Sequence, residues 1–147
     1  MDILIETRKF INSIVSQLSS EQFLKIPDGF KTNILWNIGH LVASQQILNY
    51  SLSSITPHVP EKFLNQFRKG TSPASIDNTY EITEVISLFL ELPELMKQDY
   101  EKGLFVNFKP YTTSTGIILN NIDDAVSYNT LHEGIHTGII QCIIKLI

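Results

Sequence analysis

His132-Glu133-Gly134-Ile135-His136 lies within residues 123–146 and decides how the rest of the chain is read. Its two histidines are four residues apart. If the run is helical they lie one above the other, about 40° apart around the axis. Two imidazoles so placed can hold one divalent metal. The flanking residues favour a helix. Ala125, Asn129, His132, His136, Ile139, Ile140 and Ile143 fall on one inward stripe. Asp123 and Asp124 suit the positive end of a helix dipole, and Lys145 the negative end.

Three more helical patterns precede this one. Ile3, Leu4, Ile5, Ile11, Ile14, Val15 and Leu18 predict a helix over about residues 2–18. A second is expected over residues 32–53, with Thr32 or Asn33 as N-cap. A third begins near Thr79 and carries Ile82, Val85, Ile86, Phe89, Leu92 and Met96, with Gly103 as its stop. Pro93 inside it is expected to kink or split the helix. Residues 55–78 sustain no period and contain Pro57, Pro60, Gly70 and Pro73, with Phe63, Leu64 and Phe67 fitting one helical turn. Such a connection is long enough to cross a bundle. Residues 104–120 form a second long connection with room for a little extended structure. Four helices and no convincing sheet predict an all-α four-helix bundle, one domain over residues 1–147, with a long crossover between helices 2 and 3.

A chain of 147 residues can bury about 70% of its unfolded surface, enough for a proper core. The net charge of −4, with no basic cluster beyond Arg8-Lys9 and Arg68-Lys69, argues against nucleic acid as a partner. Cys142 is the sole cysteine, so no internal disulfide is possible; within the apolar residues 139–147 it reads as a core residue. Asp2, Glu6, Arg8 and Lys9 interrupt the N-terminal segment, which lacks the apolar centre of a signal peptide. No stretch approaches the roughly 20 apolar residues of a membrane span. The expectation is a cytoplasmic protein with no membrane partner.

The four histidines are His40, His58, His132 and His136. In the second helix Asn33, Trp36, Asn37, His40, Ser44, Ile47 and Ser51 lie within about 60° of His40 on a wheel. Asn, His and Ser on an otherwise greasy helix predict a face that borders a wet cleft. A third imidazole there completes the ligand count of an open zinc site. His-Glu-Gly-Ile-His also matches the zinc-peptidase pattern. Residues 137–147 hold no His, Asp or Glu, so a further ligand must come from upstream, and His40 is best placed. Nitrogen ligands suit Zn, Ni, Cu or Fe(II). Glu133 has two readings: a catalytic base that takes a proton from water at the metal, or a partner for a neighbouring helix. Trp36, Asn37, Ser44 and Asn129 are candidates to orient ligands or line the pocket. Gly134 and Gly138 each cost about 1 kcal/mol relative to Ala in a helix. They project away from the histidines, which raises the possibility of a second subunit on that face.

The segment Asn33-Ile34-Leu35-Trp36-Asn37-Ile38-Gly39-His40-Leu41 resembles the helix-2 motif of the DinB/YfiT-like superfamily. His132-Glu133-Gly134-Ile135-His136-Thr137-Gly138 resembles its last-helix motif, and Phe67-Arg68-Lys69-Gly70-Thr71 resembles the crossover of some members. The resemblance runs over essentially the whole chain. It implies a four-helix bundle, commonly homodimeric, with one divalent metal on His40, His132 and His136; His58 matches nothing in the motif. Zn or Ni are the first expectations for the metal, with Fe, Cu or Mn also in range. Some relatives are thiol-dependent transferases or isomerases, others are classed as metal-dependent hydrolases, and many have no known reaction. The expected partner is therefore a small-molecule substrate, with a low-molecular-weight thiol as one option. The alternative is a non-catalytic metal-binding or stress-response module. Where relatives often carry a polar residue after Gly138, this chain has Ile139 and Ile140, which predicts a drier or smaller pocket.

Overall fold

Residues 1–77 and 79–147 are described by a computed structural model. Among them six α-helices follow in order: α1 (Asp2–Val15), α2 (Ser20–Leu24), α3 (Ile34–Gln45), α4 (Glu61–Phe67), α5 (Ile82–Glu101) and α6 (Ile122–Ile144). Two short strands, β1 (Tyr111–Thr112) and β2 (Ile118–Leu119), pair antiparallel between α5 and α6, with Tyr111 opposite Leu119. The fold is all-α. α1 and α3 each pack against both α5 and α6, so the four long helices alternate around one core. Ile11 and Val15 meet Ile38, Leu41 and Val42 there, with Val85, Phe89, Ile140 and Ile143. The crossover contributes α4, whose Phe63 and Phe67 are fully buried against α3. Asn78, at the end of the predicted crossover, lies outside the described residues.

α3 starts where its cap dictates. Asn33 Oδ1 accepts from Trp36 N at 2.8 Å, and its amide donates to the Leu24 carbonyl at 3.0 Å, tying α3 to α2. Of the two predicted caps, Asn33 fills the position. The uniform helix expected to Ser53 is not kept. After Gln45 the backbone widens into a π turn, Gln46–Tyr50, tightens into a 3-10 turn, Ser51–Ser53, and stops at Ser54, whose φ is +59°. A turn closing on i+5 inserts one residue relative to an α turn. The faces beyond it are therefore displaced from the 3.6-residue wheel. Ile47 and Leu48 share the cleft with Ser44, while Ser51, predicted beside them, is exposed in a different groove near His58.

Pro93 does not split α5, which runs unbroken from Ile82 to Glu101. A proline lacks the N–H that would bond the carbonyl four residues earlier. That carbonyl belongs to Phe89, and Arg8 Nη1 donates to it at 2.9 Å. The cation from α1 takes the acceptor that Pro93 leaves free. Cys142 is a further correction: it is exposed, because α6 buries Ile140 and Ile143 and turns residue 142 outward.

Candidate metal centre

α3 and α6 pack together and bring His40, His132 and His136 to one place. One nitrogen of each ring lies within 4.8 Å of the corresponding atoms of the other two. Ring centroids are 5.2 Å apart for His40 and His132, 5.0 Å for His40 and His136, and 4.6 Å for His132 and His136. Three imidazoles converging from two helices are compatible with metal binding.

Hydrogen bonds around the rings fix which nitrogens are left over. His40 Nδ1 lies 2.7 Å from the Phe67 carbonyl, which can only accept. Nδ1 therefore carries the proton and the lone pair is on Nε2, with Ser44 Oγ 3.3 Å away. The same logic holds one step further out for His136. Asn37 Nδ2 donates to the Asn33 carbonyl at 2.7 Å and to Thr32 Oγ1 at 3.0 Å, which orients its amide. Asn37 Oδ1 then faces His136 Nδ1 at 2.7 Å and accepts its proton. Both rings thus present a bare Nε2, the arrangement that outer hydrogen bonds give to metal-ligating histidines.

The crossover segment Phe67-Arg68-Lys69-Gly70-Thr71 builds much of this support. The Phe67 ring lies against Gly39; a Cβ at residue 39 would fall 2.3 Å from it. Glycine there admits the close approach that carries the Phe67 carbonyl to His40. Thr71 Oγ1 accepts from Trp36 Nε1 at 3.0 Å. Trp36 in turn stacks on His40, with planes 9° apart and centroids at 4.7 Å. Tyr128 stacks on His132 in a similar way, at 5.8 Å and 15°.

Burial acts on the protonation of all three rings. It pushes His132 down to about 4, helped by the nearby charges of His40 and Arg8. It pushes His136 down to about 3, helped by His132 and His40. His40 is also lowered by burial, against an upward pull from its bond to Phe67. Near neutral pH the three are uncharged, which is the form that ligates metals.

The two remaining expectations fall away from the histidines. Glu133 Oε1 accepts from Arg8 Nε at 2.9 Å and from Nη2 at 2.7 Å, and both side chains are almost wholly buried. Arg8 also donates to Leu41 O at 3.3 Å and lies 4.6 Å over the Phe89 ring. Burial raises the Glu133 carboxyl, and the guanidinium pulls it back. Of its two readings, this contact is the helix-pairing one. Asn129 donates to Asn49 Oδ1 at 2.8 Å, and Asn49 lies in the π turn of the second helical segment.

A cavity of about 100 Å³ opens beside His40 and His132, lined also by Ser44, Ile47, Leu48, Lys69, Tyr111, Thr113, Ser114 and Tyr128. Neither Ile139 nor Ile140 lines it; Ile140 is in the main core. Its small size comes instead from the β1–β2 hairpin and Tyr128. Sequence reasoning missed Lys69, Tyr111 and Ser114, which lie in the crossover and the hairpin where no helical period runs, and Tyr128, which was readable four residues before His132 on α6. Arg8 was readable: Leu4, Arg8, Ile11 and Val15 form one buried stripe on α1. His58, set aside as a loop residue, lies 3.2 Å from the buried Asp99, which also accepts from Tyr50 Oη at 2.9 Å. Asp99 continues the inward stripe of α5 three residues after Met96.

A family model described as the DinB superfamily matches residues 3–140. The chain belongs to the DinB superfamily. A search of curated proteins returns no match. No helix among the described residues is long and apolar enough to cross a membrane.

Proposed function

We propose that the chain is a single DinB-like domain, residues 1–147, that holds one divalent metal on His40, His132 and His136 and acts on a small molecule in the adjoining cavity. The observation that carries this is the pair of ordered tautomers. Phe67 and Asn37 accept from Nδ1 of His40 and His136, which leaves Nε2 bare on both rings, and one nitrogen of each ring lies within 4.8 Å of those of the other two. A nitrogen-only donor set fits Zn or Ni, with Fe, Cu or Mn as further options. When bound, such an ion supplies a Lewis acid that polarises an oxygen or sulfur group of the substrate.

The chain's own residues define the rest. Trp36 and Tyr128 brace two of the rings by stacking. Ser44 sits next to His40 Nε2 at the cavity wall and can hand a hydrogen bond to a ligand. Glu133 is a positioning residue, held by Arg8, rather than a base. Thiol-dependent transfer and hydrolysis both use a polarising centre beside a small pocket. Assaying metal-loaded protein with small thiols plus electrophiles, and with ester and amide panels, should give turnover that chelation abolishes. Absence of metal-dependent turnover would favour a non-catalytic metal-binding or stress-response module.

A cytoplasmic setting goes with a lone, exposed cysteine. A homodimer goes with the outer face of α6, where a Cβ built on Gly134 or Gly138 would meet, among the described residues, no atom within 4 Å beyond its own helical backbone and chain neighbours. Gly138→Leu should weaken that dimer; an unchanged mass in solution would count against the face.

A further inference from the structure

The geometry points to a small carboxylate as the ligand of the cavity, with Lys69 as its charge partner; this deepens the metal-site reading and rests on it. No Asp or Glu lines the cavity, whereas Lys69, Tyr111, Thr113, Ser114, Tyr128 and Ser44 do. Lys69 is exposed at the mouth, and none of the ion pairs among the described residues uses it. The wall is thus a set of hydroxyls and one ammonium beside the histidine cluster. That environment complements a negative ligand.

Three features narrow the class. A cavity of 150 Å³ holds benzene, so about 100 Å³ takes a fragment of about four non-hydrogen atoms. A carboxylate with one attached carbon has that size, and a longer substrate would extend through the mouth. At the mouth a single lysine offers one point charge, which matches a monoanion. The backbone also places the lysine deliberately. It stands between Phe67, which orients His40, and Thr71, which anchors Trp36, and Gly70 turns the chain with φ +88°. The segment that sets the histidines therefore also sets the cation over the cavity.

Zinc loading is measured first, by elemental analysis, and decides the metal reading alone. Acetate and its neutral isostere acetamide are then titrated against the ¹⁵N-labelled full chain by NMR, zinc-loaded if it loads and metal-free if it does not. Acetate should bind at least about tenfold more tightly than acetamide, with shifts centred on Lys69, Ser114 and Tyr128. Lys69→Gln should weaken acetate about fivefold, in the range expected for an exposed charge, leaving acetamide unchanged. Lys69→Arg should retain acetate, and added salt should erase the difference between wild type and Lys69→Gln. Equal binding of the two probes, or acetate binding indifferent to Lys69→Gln, would overturn the proposal even in a fully zinc-loaded protein. Inorganic phosphate binding more tightly than acetate through Lys69 would overturn the choice of carboxylate.

Discussion

His132 and Glu133 are neighbours on α6, yet they serve opposite arrangements. His132 turns toward α3 and meets His40 and His136 at the edge of a cavity. Glu133 turns toward α1 and is closed off by Arg8. In the first region two of the rings spend their N–H groups on outer partners, leaving bare nitrogens on rings that cluster within 4.8 Å. In the second, opposite charges are paired: Glu133 Oε1 takes two bonds from Arg8 and the guanidinium finds two backbone carbonyls besides, while Glu133 Oε2 is buried without a hydrogen-bond partner among the described residues. Leftover lone pairs that converge mark a place for something else to bind. Opposite charges paired across the core mark a fastening between helices.

Removing one member of the fastening should have the largest effect. Glu133→Ala strands a buried guanidinium and is expected to cost about 3–5 kcal/mol in denaturant unfolding. Arg8→Met combined with Glu133→Leu should recover most of that loss. If Glu133→Gln instead kept full stability and abolished turnover, the contrast between the two regions would collapse, because Glu133 would then belong to the cleft.

Acid should separate the regions next. His132 and His136 stand well below the ordinary value of 6.5 in the fold, at about 4 and about 3. Between those values and 6.5 the unfolded chain binds protons that the folded chain refuses, so stability falls as pH falls. Each of the two should cost about 2 kcal/mol at pH 5 relative to pH 7 in metal-free protein. Thermal unfolding across pH 7 to 5 reads this directly, and His132→Ala should flatten the slope.

The smallest effect is the most local. Asn37→Ala leaves the Nδ1 proton of His136 without its acceptor and frees the ring to turn. Zinc affinity should drop about 10–100-fold, the usual range for an outer partner of a ligand, while His40 keeps its bond to Phe67. Competition with a chromophoric chelator measures it; unchanged affinity would mean that Asn37 does not order the ring.

The histidine cluster was legible in the sequence because it depends on helical periodicity alone: an i, i+4 pair on one helix and a polar stripe around His40 on another. Asn37 was legible for the same reason. Glu133 could not be placed, since its direction depends on how α6 is shared between α1 and α3, and Arg8 announces itself only as a cation on an apolar stripe. Ser51 was misplaced by the π turn at Gln46–Tyr50, which displaces the later faces of that helical segment from the ideal wheel, and the bond from Asn129 to Asn49 joins two helices in a way no single wheel displays. Pro93 was read as a kink or a split because its missing N–H looked like a loss. Arg8, from another helix, supplies the donor, and no local rule can see it. The lining residues Lys69, Tyr111 and Ser114 come from the crossover and the β1–β2 hairpin, whose positions are set by tertiary packing.

The central claim is that the three histidines form one metal site, and elemental analysis of untagged protein tests it most directly. Wild type should carry about one divalent ion per chain, while His40→Ala, His132→Ala and His136→Ala, each checked for helical content, should carry under about a tenth of that. A wild-type chain that takes up no ion and shows no thermal shift with Zn²⁺ or Ni²⁺ would contradict the account, as would variants that keep the ion.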